Sequence, residues 1–281
     1  MIDKIQSLTV PTVVIEPSRG LASFNLNEIW GYRDLLFFLA WRDINIRYKQ
    51  TLLGAAWAVV QPVLTMILFT IFFGRMAGVP SDGVPYPLFA FAALLPWQYF
   101  ATTLGNAANS LVNNSNLLSK VYFPRLLIPL TSLFPSAVDF LIAFVVLLGL
   151  LFYYHWTLTW HVAWLPAFIL LALVTTFGAG LWFAAMNVKY RDIRHIVTVL
   201  IQFGLFVSPV AYPSRLVPAA WQPIYALNPM VGVIEGFRWA LLGTDALPLR
   251  LVAISTTAAL VLLITGFFYF RYTEKTFADI I

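Results

Sequence analysis

The chain has 281 residues, 60% of them apolar and only 10% charged, with a mean hydropathy of +0.82. A water-facing globule carries about 25% charged residues, so the composition excludes one and leaves a membrane-embedded protein. Seventeen Lys and Arg against twelve Asp and Glu give a net charge of +5, but the cations lie between apolar runs rather than in one block, which argues against a nucleic-acid partner and makes them markers of topology.

Residues 1–27 include Pro11, Glu16, Pro17 and Arg19 and no apolar core, which predicts a cytosolic arm rather than a cleavable signal peptide. In residues 28–53, Trp30, Phe37, Trp41, Ile44 and Tyr48 recur at helical spacing, with Arg42, Asp43, Arg47 and Lys49 on the other side. Such a helix is expected to lie in the membrane interface rather than cross it. Residues 54–281 form the transmembrane domain. A span needs about 20 mostly apolar residues, and six stretches qualify: Gly54 to Gly74, Pro87 to Leu111, Leu126 to Tyr154, Val162 to Val188, Ile196 to Tyr212 and Leu249 to Phe270. A cytosolic N-terminus leaves only Arg75, Arg215, Arg238 and Arg250 of the 17 cations outside, so the positive-inside rule predicts six spans with both termini cytosolic. Between the last two spans, Pro213 to Leu247 is apolar but broken by Pro218, Pro223 and Pro229. Two short re-entrant helices are expected there, Ala219 to Leu227 and Met230 to Gly243, lining or capping a path from outside.

Candidate chemistry is sparse. No glycine is followed by lysine, so no phosphate-cradling P-loop exists. There is no cysteine for a disulfide, thiolate metal site or nucleophile. His155, His161 and His195 lack metal-ligand spacing. Asp139 falls mid-span; with no second intramembrane acid, Lys or Arg to extend a proton relay, it reads as a structural hydrogen-bonding group. Arg42 and Asp43 read as a solvated polar face. Glu235 and Arg238, three residues apart on the second short helix, read as a surface pair worth about 0–1 kcal/mol; with Pro229 they are candidates for an external gate. Trp57, Trp97, Tyr99, Phe100, Trp182 and Phe183 fit an aromatic belt by default, and their flat amphipathic rings equally suit a glycan path.

Three strings stand out: Arg42 to Gly54 with Trp57 and Pro62 beyond, Asn113 to Arg125, and Lys189 to His195. With Ser208-Pro209-Val210, Asn228-Pro229 and Arg238 downstream, they resemble the permease subunit of ABC-2-type polysaccharide exporters, the family of O-antigen and teichoic-acid exporters. The resemblance runs from about Arg42 to the C-terminus. It implies an all-α, multi-pass permease of the bacterial inner membrane, acting as a homodimer on two copies of a separate ABC ATPase that holds ATP and Mg. It implies no catalytic residue, cofactor or metal in this chain. It also implies a cargo of polyprenyl-pyrophosphate-linked glycan moved outward, with Asn116, Lys120, Tyr122, Phe123, Arg125, Arg191 and Asp192 at the ATPase contact. The alternatives are an ABC-2 permease for a drug or small lipid and a membrane-embedded enzyme acting on a lipid carrier; an ion-coupled transporter would need paired intramembrane charges that the sequence lacks.

Overall fold

The computed structural model describes residues 30–49, 56–244, 246–275 and 277. The N-terminal arm and the string from Gln50 to Gly54, including the expected start of the first span, lie outside the described residues. Every regular element among the described residues is a helix. In chain order these are α1 (Arg33–Lys49), α2 (Ala56–Phe69, continued by the π-helical turns of Thr70–Met76), α3 (Tyr86–Asn113), α4 (Ser115–Lys120), α5 (Leu127–Thr131) and α6 (Leu133–Tyr153). A 3-10 segment, Trp160–Trp164, leads into α7 (Leu165–Lys189), followed by α8 (Ile193–Val207), α9 (Gln222–Tyr225), α10 (Pro229–Leu242) and α11 (Leu249–Glu274).

Five helical stretches among the described residues are long and apolar enough to cross a bilayer: Ala56–Met76, Tyr86–Asn113, Leu127–Tyr153, Trp160–Lys189 and Leu249–Glu274. The expected span from Ile196 to Tyr212 is replaced by the 15-residue α8, about 22 Å long and shorter than the hydrocarbon. Its stop is local: Pro209 pushes Ser208 into extended backbone, φ −93° and ψ 154°, because the proline ring disfavours helical geometry in the residue before it. The first short helix also shrinks, to the four residues of α9, whereas α10 takes up the second.

The core is built on α3. Its apolar window is 83% buried, against 17% for the first span and 22% for the third and last, so α3 is the central post and the others present apolar faces to lipid. Helix α3 packs on α7, α6, α10, α2 and α8. A second cluster joins the far ends of these helices, with Leu39 of α1, Leu111 of α3, Phe123, Leu127 of α5, Val188 of α7 and Phe270 of α11 all buried.

Between α7 and α11 the backbones touch. A Cβ on Gly178 would lie 2.7 Å from the backbone nitrogen of Leu263, and one on Gly266 would lie 2.6 Å from the Gly178 carbonyl oxygen. Small residues allow this approach where lipid supplies no hydrophobic drive for helix association. Gly178→Val should therefore lower the melting temperature of the purified protein, costing about 1–3 kcal/mol as overpacking does. Gly149→Val, where a Cβ meets nothing within 4 Å, should leave it close to wild type; equal shifts in a thermal-unfolding scan would contradict the contact.

Candidate functional site

At one end of the bundle, α1 is fastened by its charges. Arg47 forms an ion pair with Asp139 of α6, and the Tyr48 hydroxyl donates to the same carboxylate at 2.5 Å. Arg42 pairs with Asp43 at 2.8 Å and donates from Nη2 to Asn114 Oδ1 at 3.0 Å. These contacts correct one reading and extend another. Arg42 and Asp43 are half-buried against the protein rather than solvated, while Asp139 is the hydrogen-bonding group expected and gains in addition a cation from outside the spans, the long Arg47 side chain, whose apolar stem lets it reach inward. The aromatic side of α1 faces away: Trp30, Phe37 and Trp41 are exposed, and Phe37 stacks on Trp41. Burial, ahead of the bond to Asp139, raises the Tyr48 hydroxyl above its ordinary pKa, so it stays a proton donor at neutral pH.

Beside this clamp the string from Asn113 to Arg125 divides. Asn116 and Lys120 are exposed on α4. Tyr122 is 67% exposed while Phe123 is 5% exposed and packs into the second cluster. Arg125 turns inward, donating to the Glu274 carbonyl at the end of α11 with its guanidinium 5.9 Å from the Phe277 ring centroid. Arg191 and Asp192, in the turn from α7 to α8, are exposed, and Arg191 shares a cleft of about 370 Å³ with Asn113 and Ser115. Arg191 thus stands beside the start of α4, while Phe123 and Arg125 anchor the far end of the string in the protein.

The opposite end is governed by Arg238. Far from lying in a surface pair, it is 2% exposed. It donates from Nη2 to the Val210 carbonyl at 2.7 Å, from Nη1 to Tyr212 at 3.3 Å and from Nε to Phe89 at 3.3 Å. Its guanidinium sits 3.5 Å from the Phe89 ring centroid, and Glu235 is 3.7 Å away while accepting from the Ser214 amide. Five donors in a rigid fork suit this array of carbonyls as no other side chain does. Tyr86 adds a bond to the Ala211 carbonyl at 2.6 Å. Asn228 caps α10 by accepting from Met230, with Pro229 in the first turn, and donates to Ser208 Oγ at 2.9 Å. Ser255 of α11 donates to the Ala226 carbonyl and accepts from Gly232.

The six candidate path aromatics separate. Trp97, Tyr99 and Phe100 are buried in the core, Trp97 fitting against Gly204 of α8. Phe183 packs on the same core, and Trp182 stacks on Tyr269 with ring centroids 4.4 Å apart. Burial gives Trp97, Tyr99 and Phe100 packing roles within this chain. Trp57 alone of the six is exposed, beside a cleft that also reaches Tyr99.

The sequence carried no signal for Tyr86 or Ser255, whereas Ser208-Pro209 and the Asn228-Pro229 pair, a cap followed by a first-turn proline, stood out locally.

Five helical stretches long and apolar enough to cross a bilayer, packed around one buried post with a buried polar lock at its end, are the build of a multi-pass membrane protein. The model of the ABC-2 type transporter family matches residues 34–242, and the chain belongs to that family. It is 32% identical over 216 residues to an O-antigen export system permease protein RfbA of Myxococcus xanthus, covering 76% of this chain and 82% of the relative. It is 28% identical to the protein of that name from Klebsiella pneumoniae, over 92% of this chain and 98% of the relative. Similarity extends to the polysialic acid transport protein KpsM of Escherichia coli, 22% identical over 83% of this chain and 91% of the relative.

Two outcomes follow from the lock and the loop. Arg238→Met strands several buried carbonyls and Glu235, and should destabilise the protein by about 3–5 kcal/mol, with Arg238→Lys recovering only part because an ammonium cannot reproduce the fork. Thermal unfolding in detergent measures both. Tyr122→Ala should leave the melting temperature unchanged, whereas Phe123→Ala should lower it by an amount matching about 3–5 kcal/mol of lost core packing.

Proposed function

We propose that this chain is the membrane subunit of an ATP-driven exporter that moves a lipid-linked polysaccharide outward across the bacterial inner membrane. Near full-length similarity to O-antigen export permeases carries the reading. ABC-2 permeases work with an ABC ATPase, and a chain without a P-loop must draw on a separate one; ATP and Mg belong to that subunit. The assembly is a homodimer on two ATPase copies, and the chain itself catalyses no reaction.

Both termini are cytosolic, and α8 with its extended continuation makes the sixth crossing. What supports this is its course along α3: α8 starts beside the cleft holding Asn113 and Arg194, passes Gly105 and Trp97, and its tail reaches Tyr86 and Phe89, at the other end of α3. Helix α10 is re-entrant from outside, its start held by Ser255, about 9 Å along α11 from Leu249 at helical rise. Exposed Tyr122, Lys120, Asn116, Arg191 and Asp192 meet the ATPase. An exposed aromatic beside cations is the composition of an anchoring contact.

Deleting the gene should leave synthesis intact and stop export, so that lipid-linked polymer collects inside and surface polysaccharide disappears. Fractionation of surface from intracellular glycan reads this directly. Unchanged surface polysaccharide with retention of a drug or small lipid would replace the reading with an exporter of that cargo. Tyr122→Ala should reduce co-purification of the ATPase severalfold without loss of folded permease, and full retention of the partner would remove Tyr122 from the contact.

A further inference from the structure

Where the last turns of α3 and α7 meet the first turn of α8, the cleft of about 370 Å³ that holds Arg191 also holds Arg194. Its wall is fixed: Asn187 of α7 is 3% exposed and donates across to the Ala108 carbonyl at 2.8 Å and to Asn109 Oδ1 at 3.2 Å. The two helices are therefore bonded to each other at the cleft itself. Asn113 and Ser115 line it as well, and their side chains make no hydrogen bond among the described residues.

The charge is one-sided. Arg191 and Arg194 line the cleft and no acid among the described residues does; Asp192, between them in the chain, is exposed and pairs with neither. The other described arginines at this end, from Arg33 to Arg271, each hold an ion pair or a backbone carbonyl. These two hold nothing in the protein. Helix ends do not neutralise them, because the carbonyl ends of α3 and α7 carry about half a negative charge each and the amino end of α8 returns about half a positive one. A net positive charge of about 1.5 remains.

Two guanidinium forks on one cleft select the kind of anion. A carboxylate has only two oxygens and satisfies one fork, whereas a phosphoryl group has three and a pyrophosphate more, so both forks and the Asn113 and Ser115 donors can be used together. We propose that the cleft bounded by Asn113, Ser115, Arg191 and Arg194 is a binding site for a phosphate or pyrophosphate group. The site goes beyond the export reading, and both a lipid headgroup and a free phosphate carry the chemistry it fits. Arg191 is also placed at the ATPase contact, so Arg194 carries the test.

The chain has no cysteine of its own, so Val112→Cys, at an exposed position lining the cleft, reports occupancy through its rate of alkylation by a maleimide. The permease, purified with its ATPase in a maltoside detergent free of phosphate, is given polyprenyl pyrophosphate or inorganic pyrophosphate, with sodium chloride at matched ionic strength as reference. Pyrophosphate should slow alkylation severalfold. Arg194→Gln should raise the concentration for half-protection about tenfold, the loss of one charge-assisted contact. Lys189→Gln, which removes the same charge nearby from an exposed side chain that does not line the cleft, should leave that concentration unchanged. Protection by the polyprenyl form at the lower concentration assigns a lipid headgroup, and protection by the inorganic form at an equal or lower one assigns a soluble phosphate. Equal weakening by Lys189→Gln would reduce the effect to diffuse surface charge and overturn the site. Absence of protection by both probes overturns it too. So does a Val112→Cys variant that is unreactive in the complex before any phosphate is added yet reactive in the permease alone, which would give the cleft to an acidic segment of the ATPase. None of these outcomes touches the export reading, which stands or falls on surface glycan in the deletion strain.

Discussion

The chain turns back on itself between α8 and α11 with irregular backbone at residues 208–214 that is mostly buried, and each carbonyl buried by that turn needs a donor from the protein. Arg238 meets most of the requirement. One guanidinium serves Val210, Tyr212 and Phe89, while Tyr86, Asn228 and Ser255 take up the neighbouring backbone and side-chain groups. Irregular backbone survives at membrane depth only when buried in protein or facing a wet cavity, and here it is buried. The position of α10 against α3 follows. Burying a cation is expensive unless it is fully bonded, so the lock works as a unit and its members are not interchangeable.

The other end uses a different economy of charge. Arg47 and Tyr48 of α1 converge on Asp139, so a helix lying across the bundle is referred to a fixed point on a membrane-crossing one. Its aromatic face is left for lipid. Arg47 also borders two clefts, of about 240 and 660 Å³, and Asp139 lines the first of them.

Much of this was legible in the sequence because apolar run length is a strong signal: five of the expected spans correspond closely in position to helices in the structure, and only α8 falls short, at the Ser208-Pro209 break. The amphipathic spacing placed Trp30, Phe37 and Trp41 on the exposed side, but Tyr48, expected with them, joins Arg47 on Asp139 instead, because its hydroxyl finds a carboxylate inside the bundle. What the residues could not disclose was pairing at a distance. Arg238 and Glu235 look like a surface pair because they are three apart, yet the partners that matter lie at positions 89, 210 and 212. Asp139 seemed to lack a cation because Arg47 is 92 positions away and outside the spans. Tyr122 and Phe123 are adjacent and alike, and only packing tells the exposed ring from the buried one.

Arg125 joins the loop that carries Tyr122 to the last carbonyls of α11, and α11 is pressed backbone to backbone against α7 through Gly178 and Gly266. The loop is thus tied through α11 to a pair of long helices that stand in backbone contact, while α1 is tied separately to α6 through Asp139. Among the described residues the two attachments meet only in the buried cluster where Leu39 of α1 lies with Phe270 of α11, so a single apolar joint sets how α1 stands relative to the loop.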